Sequence, residues 1–288
     1  MIVFENYSFY YSKNKLLFEN LNFQLPKGKI YGLFGENGSG KTTLLNSLTG
    51  LIFPKTGEIL INGEAPKDRR PVFLQSLYYV ADTITLPKIS TSNFVKIYSL
   101  YYPNFSDTDF KQYLKDFNIE NEAKPYKSSF GQQKKFILAF ALACNTPLLI
   151  MDEPTNGLDI PSKNQFRKII ASKMDSEKTI VISTHQAKDL EQLIDHVLIL
   201  NNNQLVVNED AYEITKKLAF NFYSSKPIDT SNCITMDETI GGYKVIEKNT
   251  TGEETNIDIE QLVSASFSNP EALYQHLNFK KQTDEQYI

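Results

Sequence analysis

The chain has only two cysteines in 288 residues, Cys144 and Cys233. That is too few for a disulfide framework or a cysteine metal cage. Cys144 sits in an apolar run and reads as a small core residue, and nothing around Cys233 marks it for chemistry. Histidine is also sparse, at three, and His196 and His276 have no motif around them. A basic excess is missing too: 30 Lys and Arg face 34 Asp and Glu, with a net charge of −4 and a pI near 5.6. This argues against a general nucleic-acid binder, so no nucleic acid is expected as a partner. The start, Met1-Ile-Val-Phe-Glu, lacks the positive residues and apolar stretch of a signal peptide. The longest strongly apolar run, Phe136 to Cys144, falls short of the ~20 residues that span a bilayer. The chain is not expected to cross a membrane alone, and the expected compartment is the cytoplasm, where thiols stay reduced.

Hydrophobic residues at 41% and charged residues at 22% match a globular protein with a sizeable core. The length admits one large domain or two modest ones. Alternation over Ile2 to Leu25 predicts one or two strands, with a turn at Lys13-Asn14 and another at Pro26-Lys27-Gly28. Further strands are expected at Ile30–Phe34, Gly57–Ile61, Leu77–Val80, Leu148–Met151, Thr179–Ser183, Val197–Leu200 and Gln204–Val207. Helices are expected at Thr42–Leu48, across Thr91–Asn118 with a break at Pro103, and at Phe130–Ala143, Pro161–Lys173 and Asp189–Asp195. Strands alternating with helices imply an α/β fold with a largely parallel core sheet, while the aromatic-rich beginning looks antiparallel. Composition shifts near Asn221. Residues 226–232 read as linker, followed by a short strand at 243–247 and helices at Ile257–Ser268 and Pro270–Leu277, a small α+β extension.

Gly35-Glu-Asn-Gly-Ser-Gly40-Lys41-Thr42 fills a phosphate-binding loop pattern. Gly35, Gly38 and Gly40 let the backbone turn tightly, so that it and neighbouring Asn37, Ser39 and Thr43 can present N–H groups to one anion. Lys41 offers a point charge to the outer phosphates, and Thr42 offers a hydroxyl to Mg²⁺. The buried strand before the loop and the helix after it are the context this chemistry needs. Leu148-Leu-Ile-Met-Asp152-Glu153-Pro154 is an apolar strand ending in two acids. Asp152 is suited to hold Mg²⁺, and Glu153 to orient or deprotonate a water.

Ser128-Ser129-Phe130-Gly131-Gln132-Gln133-Lys134-Lys135, one helix before the acidic strand, resembles the LSGGQQRR signature of the ATP-binding cassette (ABC) family. Asn156-Gly157-Leu158-Asp159 resembles its D-loop, and Ser183-Thr184-His185 its switch histidine. Tyr11 sits where the family carries an aromatic that stacks on adenine, with Tyr10 as competitor. The order and spacing of these motifs cover residues 1 to 222.

The resemblance implies a P-loop α/β core, an antiparallel β subdomain and a helical subdomain over about residues 87–135, leaving 223–288 as an extension of unassigned role. It implies ATP and Mg²⁺ as cofactors, Glu153 as general base and His185 on the γ-phosphate. It also implies a homodimer or heterodimer closing head to tail, with Ser129, Gly131 and Gln132 facing the other chain's phosphates and Asp159 linking the two sites. The implied role is the ATPase subunit of a transporter. It would work with a separate transmembrane permease and associate peripherally with the inner face of the cell membrane.

The sequence departs from the family at two places. Phe130 replaces the first signature glycine, and Ser128 its leucine. The family's metal- and water-binding glutamine aligns with Asp82, while Gln75 lies seven residues earlier. Aspartate still offers oxygen to a hard cation, so Asp82 is the expected replacement. The rival readings are a soluble ATPase acting in translation or DNA maintenance and a nucleotide-binding scaffold with little hydrolysis. The first commonly has tandem cassettes or long coiled-coil insertions, which are not seen here. Intact Lys41, Asp152, Glu153 and His185 argue against the second.

Overall fold

The computed structural model describes residues 1–12, 15–119, 124–252 and 255–277; the turn expected at Lys13-Asn14 lies outside the described residues. The chain opens with β1 (Ile2–Ser12), β2 (Lys15–Leu25) and β3 (Ile30–Gly35). Next come α1 (Lys41–Leu48), β4 (Thr56–Ile61), α2 (Pro71–Gln75) and β5 (Leu77–Val80). Three helices follow, α3 (Thr91–Tyr98), α4 (Asp107–Asp116) and α5 (Phe130–Ala143). The alternating part ends with β6 (Leu148–Asp152), α6 (Ile160–Ser172) and β7 (Thr179–Ser183), and β8 (His196–Asn201) and β9 (Gln204–Asp210) form a hairpin. The last region holds α7 (Ala211–Lys217), β10 (Leu218–Tyr223), β11 (Cys233–Thr239), β12 (Gly242–Lys248), α8 (Ile259–Ser268) and α9 (Pro270–Leu277).

The central six-stranded sheet has the order β5-β6-β7-β3-β8-β9. It is parallel except for β9, which turns back on β8 through Asn202 and Asn203, both with positive φ. Asparagine tolerates that left-handed backbone, which matches the twist of a tight hairpin. Side chains alternate across each strand, so the sheet feeds two cores. Ile30, Phe34, Leu149, Met151, Ile180 and Ile182 face the core shared with the helices. Tyr31, Leu33, Leu148, Ile150, Val181 and Leu198 face the other, shared with α1 and the β2-β1-β4 sheet. Burial on both faces explains why these strands are continuous apolar runs.

The helical layer is held by rings: Phe94 lies 5.1 Å and Phe110 5.8 Å from Phe136, in edge-to-face contact. Serines cap all three helices, Ser90, Ser106 and Ser129 each accepting a backbone N–H three residues on. The break expected at Pro103 is wide: α3 runs into a 3₁₀ turn at Ser99–Tyr101, and α4 starts only at Asp107. The helix expected over 189–195 is instead two 3₁₀ turns, Ala187–Asp189 and Glu191–Leu193. The segment must bury both Leu190 and Ile194, then bring the Asp195 carboxylate back to accept the Ile30 N–H at 2.8 Å. One regular helix cannot do both in so few residues.

Four further elements, α2, α7, β10 and β11, go beyond the sequence expectation. β10 crosses the composition shift near 222 and pairs with β12, giving the antiparallel order β10-β12-β11. Leu218, Phe220 and Phe222 do alternate there, but the polar stretch after them masks the signal. α8 and α9 bury Ile259, Leu262, Ala265, Leu273 and Leu277 in the same core cluster as the central sheet. Among the described residues, no helix is long and apolar enough to cross a membrane.

Candidate functional site

Parallel strands end on one side of the sheet, and loops from that edge supply the site. The glycine loop follows β3, Asp82 follows β5, Asp152 and Glu153 close β6, and His185 follows β7. Because β5, β6, β7 and β3 are neighbours, the loops after β3, β5 and β6 open onto one cavity of about 480 Å³, and His185 stands behind its wall, in contact with Glu153. Its wall includes Tyr11, Asn37, Gly38, Gly40, Lys41, Thr42, Thr43, Asp82, Asp152 and Glu153. Leu17, which carries no sequence signal, joins them. Gly35 lies just outside: a Cβ there would meet the Leu200 carbonyl and the Ser39 hydroxyl, each at 2.6 Å. Only glycine lets the loop leave β3 at that point.

Gly40 begins α1 in the left-handed region, at φ 101°, and its carbonyl accepts the Leu44 N–H at 2.8 Å. Lys41 is 8% exposed and donates to the Gly35 and Glu36 carbonyls at 2.8 and 3.0 Å. Burial lowers its pKa, opposed by the fields of Glu153 and Asp152. The Ser39 hydroxyl is buried without a protein partner among the described residues, a donor free for a ligand in the loop. Tyr11 lines the cavity and its hydroxyl lies 2.9 Å from that of Thr43, whereas Tyr10 is not on the wall. The Tyr11 ring is two-thirds exposed, braced edge-on against Phe9 at 4.9 Å.

Thr42 donates to one oxygen of Asp152 at 2.6 Å, and the Ser183 hydroxyl donates to the other. Glu153 sits in the left-handed region at φ 46°, a strained backbone for a side chain of its size. Its carboxylate is held from one side: Thr184 donates to Oε2 at 3.1 Å, and the His185 backbone N–H to Oε1 at 3.0 Å. His185 Nδ1 is 2.7 Å from the same Oε1. The Asp82 carboxylate accepts from Asn156 at 3.4 Å, while Gln75 ends α2 on the wall of a different groove.

Ser129, Gly131, Gln132 and Asp159 are not on the cavity wall. They form a second edge. Ser129 caps α5, accepting the Gln132 N–H at 3.4 Å, and Asp159 caps α6, accepting the Ser162 N–H at 2.8 Å. Lys135 joins the two caps by pairing with Asp159 at 2.8 Å, and this contact holds the Asp159 carboxyl well below the usual range. The bulk of Phe130 is accommodated across the D-loop turn: a Cβ on Gly157 would lie 2.8 Å from its ring.

Lys134 is fully buried and was not distinguished by sequence from the rest of its motif. Its ammonium donates to the Ala81 and Asp82 carbonyls, both at 3.2 Å, and reaches the Asp152 carbonyl at 3.5 Å. Burial lowers its pKa, while Asp82, Asp152 and Glu153 oppose the shift. It ties the signature helix to both acidic loops. Its place just before the apolar run that opens at Phe136 is the one signal available beforehand.

A glycine loop after a buried strand, a lysine and hydroxyl at the helix start and two acids ending a nearby parallel strand define a P-loop nucleotide-binding site. The "ABC transporter" family profile matches residues 18–156. The uncharacterized ABC transporter ATP-binding protein YybJ of Bacillus subtilis is 33% identical over 201 residues, 68% of this chain and 91% of that protein. The SkfA peptide export ATP-binding protein SkfE of the same species is 32% identical over 200 residues, covering 67% and 82%. The lantibiotic transport ATP-binding protein SrtF of Streptococcus pyogenes is 30% identical over 213 residues, covering 73% and 91%. In fold, an ATP-binding subunit of an ABC transporter superposes with a TM-score of 0.67 at 24% identity, covering 74% of this chain and 91% of that one. A dimeric ATP-binding cassette bound to ADP and Pi gives 0.64 at 22%, covering 73% and 98%. The chain belongs to the ATP-binding proteins of the ABC transporter family. It is an ATPase, and a role in translation or DNA maintenance is not favoured.

Proposed function

We propose that this ATPase is the Mg²⁺-dependent motor of an exporter whose permease is a separate membrane-spanning chain. One observation supports this above all. A groove of about 550 Å³, lined by Leu51, Leu74, Tyr78, Tyr98, Tyr101 and Tyr102 among others, opens between α2, β5 and the helical layer. Beside it Val72 and Leu100 are 74% and 80% exposed. Apolar surface gathered at a concave site fits a helix from a partner. The name of SkfE, which gives peptide export, supports a peptide as cargo, beside the lantibiotic transport that the name of SrtF gives. Residues 1–222 would be the nucleotide-binding domain, with its helical subdomain near 87–135, and 223–288 the extension. The chain would sit on the inner face of the cell membrane through its permease.

The chemistry assigned to each residue follows from its surroundings. The hydroxyl of Thr42 and the carboxylates of Asp152 and Asp82 are hard oxygen donors on one wall, a set that suits Mg²⁺. Among the described residues no three His, Cys, Asp or Glu side chains form a metal cage, and Mg²⁺ ordinarily needs only one or two carboxylates beside phosphate and water. Bound Mg²⁺ would neutralise charge on the outer phosphates. Lys41 and the loop N–H groups orient those phosphates, and Tyr11 stacks on the adenine. Glu153 takes the proton of the attacking water, while His185 holds the γ-phosphate and keeps Glu153 in place. In a head-to-tail pair, Ser129, Gly131 and Gln132 of one chain close the cavity of the other, and Asp159 spans the two sites.

The test is recovery from membranes. The tagged chain, extracted from its own membranes in mild detergent, should bring an integral membrane protein with it. Leu100→Asp with Tyr101→Asp should abolish that recovery while ATP turnover of the isolated chain persists. Recovery of no membrane protein would remove the reading.

A further inference from the structure

The turn after His185 is gripped from two sides. From α6, Lys163 reaches Asp189 at 2.6 Å and the Gln186 side-chain oxygen at 3.1 Å, and Arg167 donates to the Asp189 carbonyl at 3.2 Å. From the C-terminal region, the Ile259 N–H in the first turn of α8 donates to Glu191 Oε1 at 2.7 Å. Lys188 pairs with Glu260 at 2.9 Å. Beneath these polar contacts α8 packs on the Ala187–Asp189 turn, and its Ile259, Leu262 and Ala265 share a buried cluster with Ala187 and Leu190.

The grip extends into the C-terminal sheet. Asp258 caps α8 by accepting the Gln261 N–H at 2.9 Å, and its other oxygen takes Lys244 of β12 at 2.5 Å. Asn201 of β8 donates to the Ser266 carbonyl at 3.0 Å, fixing the far end of the helix. A contact path therefore runs from β12 through Asp258, Ile259 and Glu191 to the turn that follows His185. The turn needs such support. It is two short 3₁₀ turns rather than a helix, so little of its geometry is set by its own backbone hydrogen bonds. The Glu191 carboxylate meets the N-terminal end of a ten-residue helix; burial raises its pKa, and the Ile259 N–H opposes that shift.

We propose that Glu191 is a positioning residue for hydrolysis. By holding the first turn of α8 it sets the 187–191 turn, and with it the approach of His185 to Glu153. The C-terminal sheet and helices then govern turnover without touching the nucleotide. Anything that draws α8 off this turn slows hydrolysis and leaves ATP bound. The inference rests on ATPase activity alone and is independent of the permease.

The test uses the full chain and measures kcat, KM for ATP and equilibrium ATP affinity. Glu191→Ala should lower kcat about tenfold with ATP affinity kept, the scale of one lost charge-assisted hydrogen bond. Glu191→Gln, which keeps an acceptor for the Ile259 N–H, should stay within about threefold of the parent. The exposed pair gives a second route that does not threaten folding. Lys188→Glu and Glu260→Lys should each lower kcat about two- to fourfold, and the double reversal should restore it. An unchanged kcat in Glu191→Ala overturns the proposal. So does a loss that appears in ATP affinity instead of kcat, or a double reversal no better than its parents.

Discussion

The nucleotide cavity and the signature edge, to which the proposed function gives a phosphate each, are finished differently. In the cavity the main charged groups are already braced by their own chain: Lys41 by loop carbonyls, Asp152 by two hydroxyls, Glu153 by Thr184 and His185. At the signature edge Ser129 and Phe130 stand exposed, and the bracing lies behind them in the Lys135–Asp159 pair and the Phe130–Gly157 contact. One region has its charged groups held in place within a single chain. The other carries its support behind an exposed face, the face that the proposed head-to-tail pair would cover.

Experiments that break this contrast start with the largest effect. Glu153→Gln should lower kcat by about 10²- to 10⁴-fold, the range of a lost general base, while ATP still binds. Comparable turnover in variant and parent would remove Glu153 as the base. Two glycine variants then divide the regions. A Cβ on Gly40 would lie 2.5 Å from the Phe18 ring at φ 101°, and one on Gly131 would lie 2.6 Å from the Gly157 carbonyl. Gly40→Ala should weaken ATP binding to the single chain by about tenfold or more, since strain of this kind costs ~1–3 kcal/mol. Gly131→Ala should leave that binding intact and lower turnover. Equal loss of binding in both would merge the two regions.

Asp82→Ala should raise the Mg²⁺ concentration for half-maximal turnover about tenfold, the scale seen when a metal site loses support. An unaltered Mg²⁺ dependence would sink Asp82 as the replacement for glutamine. The smallest effect lies far from both regions. Asp109 of α4 pairs with Lys173 beyond α6 at 2.6 Å, and this hydrogen bond, against burial, lowers the Asp109 carboxyl below its usual 3.8. A carboxyl lowered on folding adds stability that is complete above its unfolded value and is lost as pH falls through the folded one. Asp109→Asn should therefore cost about 0.5–1 kcal/mol in denaturant unfolding at neutral pH. The difference should disappear in strong acid, with ATP affinity unchanged throughout.

Much of the cavity was legible because its chemistry needs contiguous residues. A phosphate loop must run from strand to glycines to lysine to helix, so its side chains are neighbours in sequence. Asp152 and Glu153 were legible because they close a buried strand, and His185 because it follows one. Lys134 was not, since its partners are backbone carbonyls about fifty residues upstream at Ala81 and Asp82, and carbonyls carry no sequence mark. Phe130 stood out only as a departure. Its fit to Gly157 depends on how the signature helix meets the D-loop turn. The helix expected after His185 failed for a related reason. Local pattern favours one helix there, but burial of Leu190 and Ile194 with the return of Asp195 to β3 demands two turns.

The sequence by itself determined that this protein carries a phosphate loop, a pair of strand-end acids and a signature helix, in an order and spacing that name its family. Those are local patterns, and local chemistry dictates them. Only the tertiary structure decided that Tyr11 rather than Tyr10 faces the cavity, that Asp82 rather than Gln75 does, and that α8 holds the turn behind His185. Each depends on the register of one element against another distant in sequence, and packing of the whole chain sets that register.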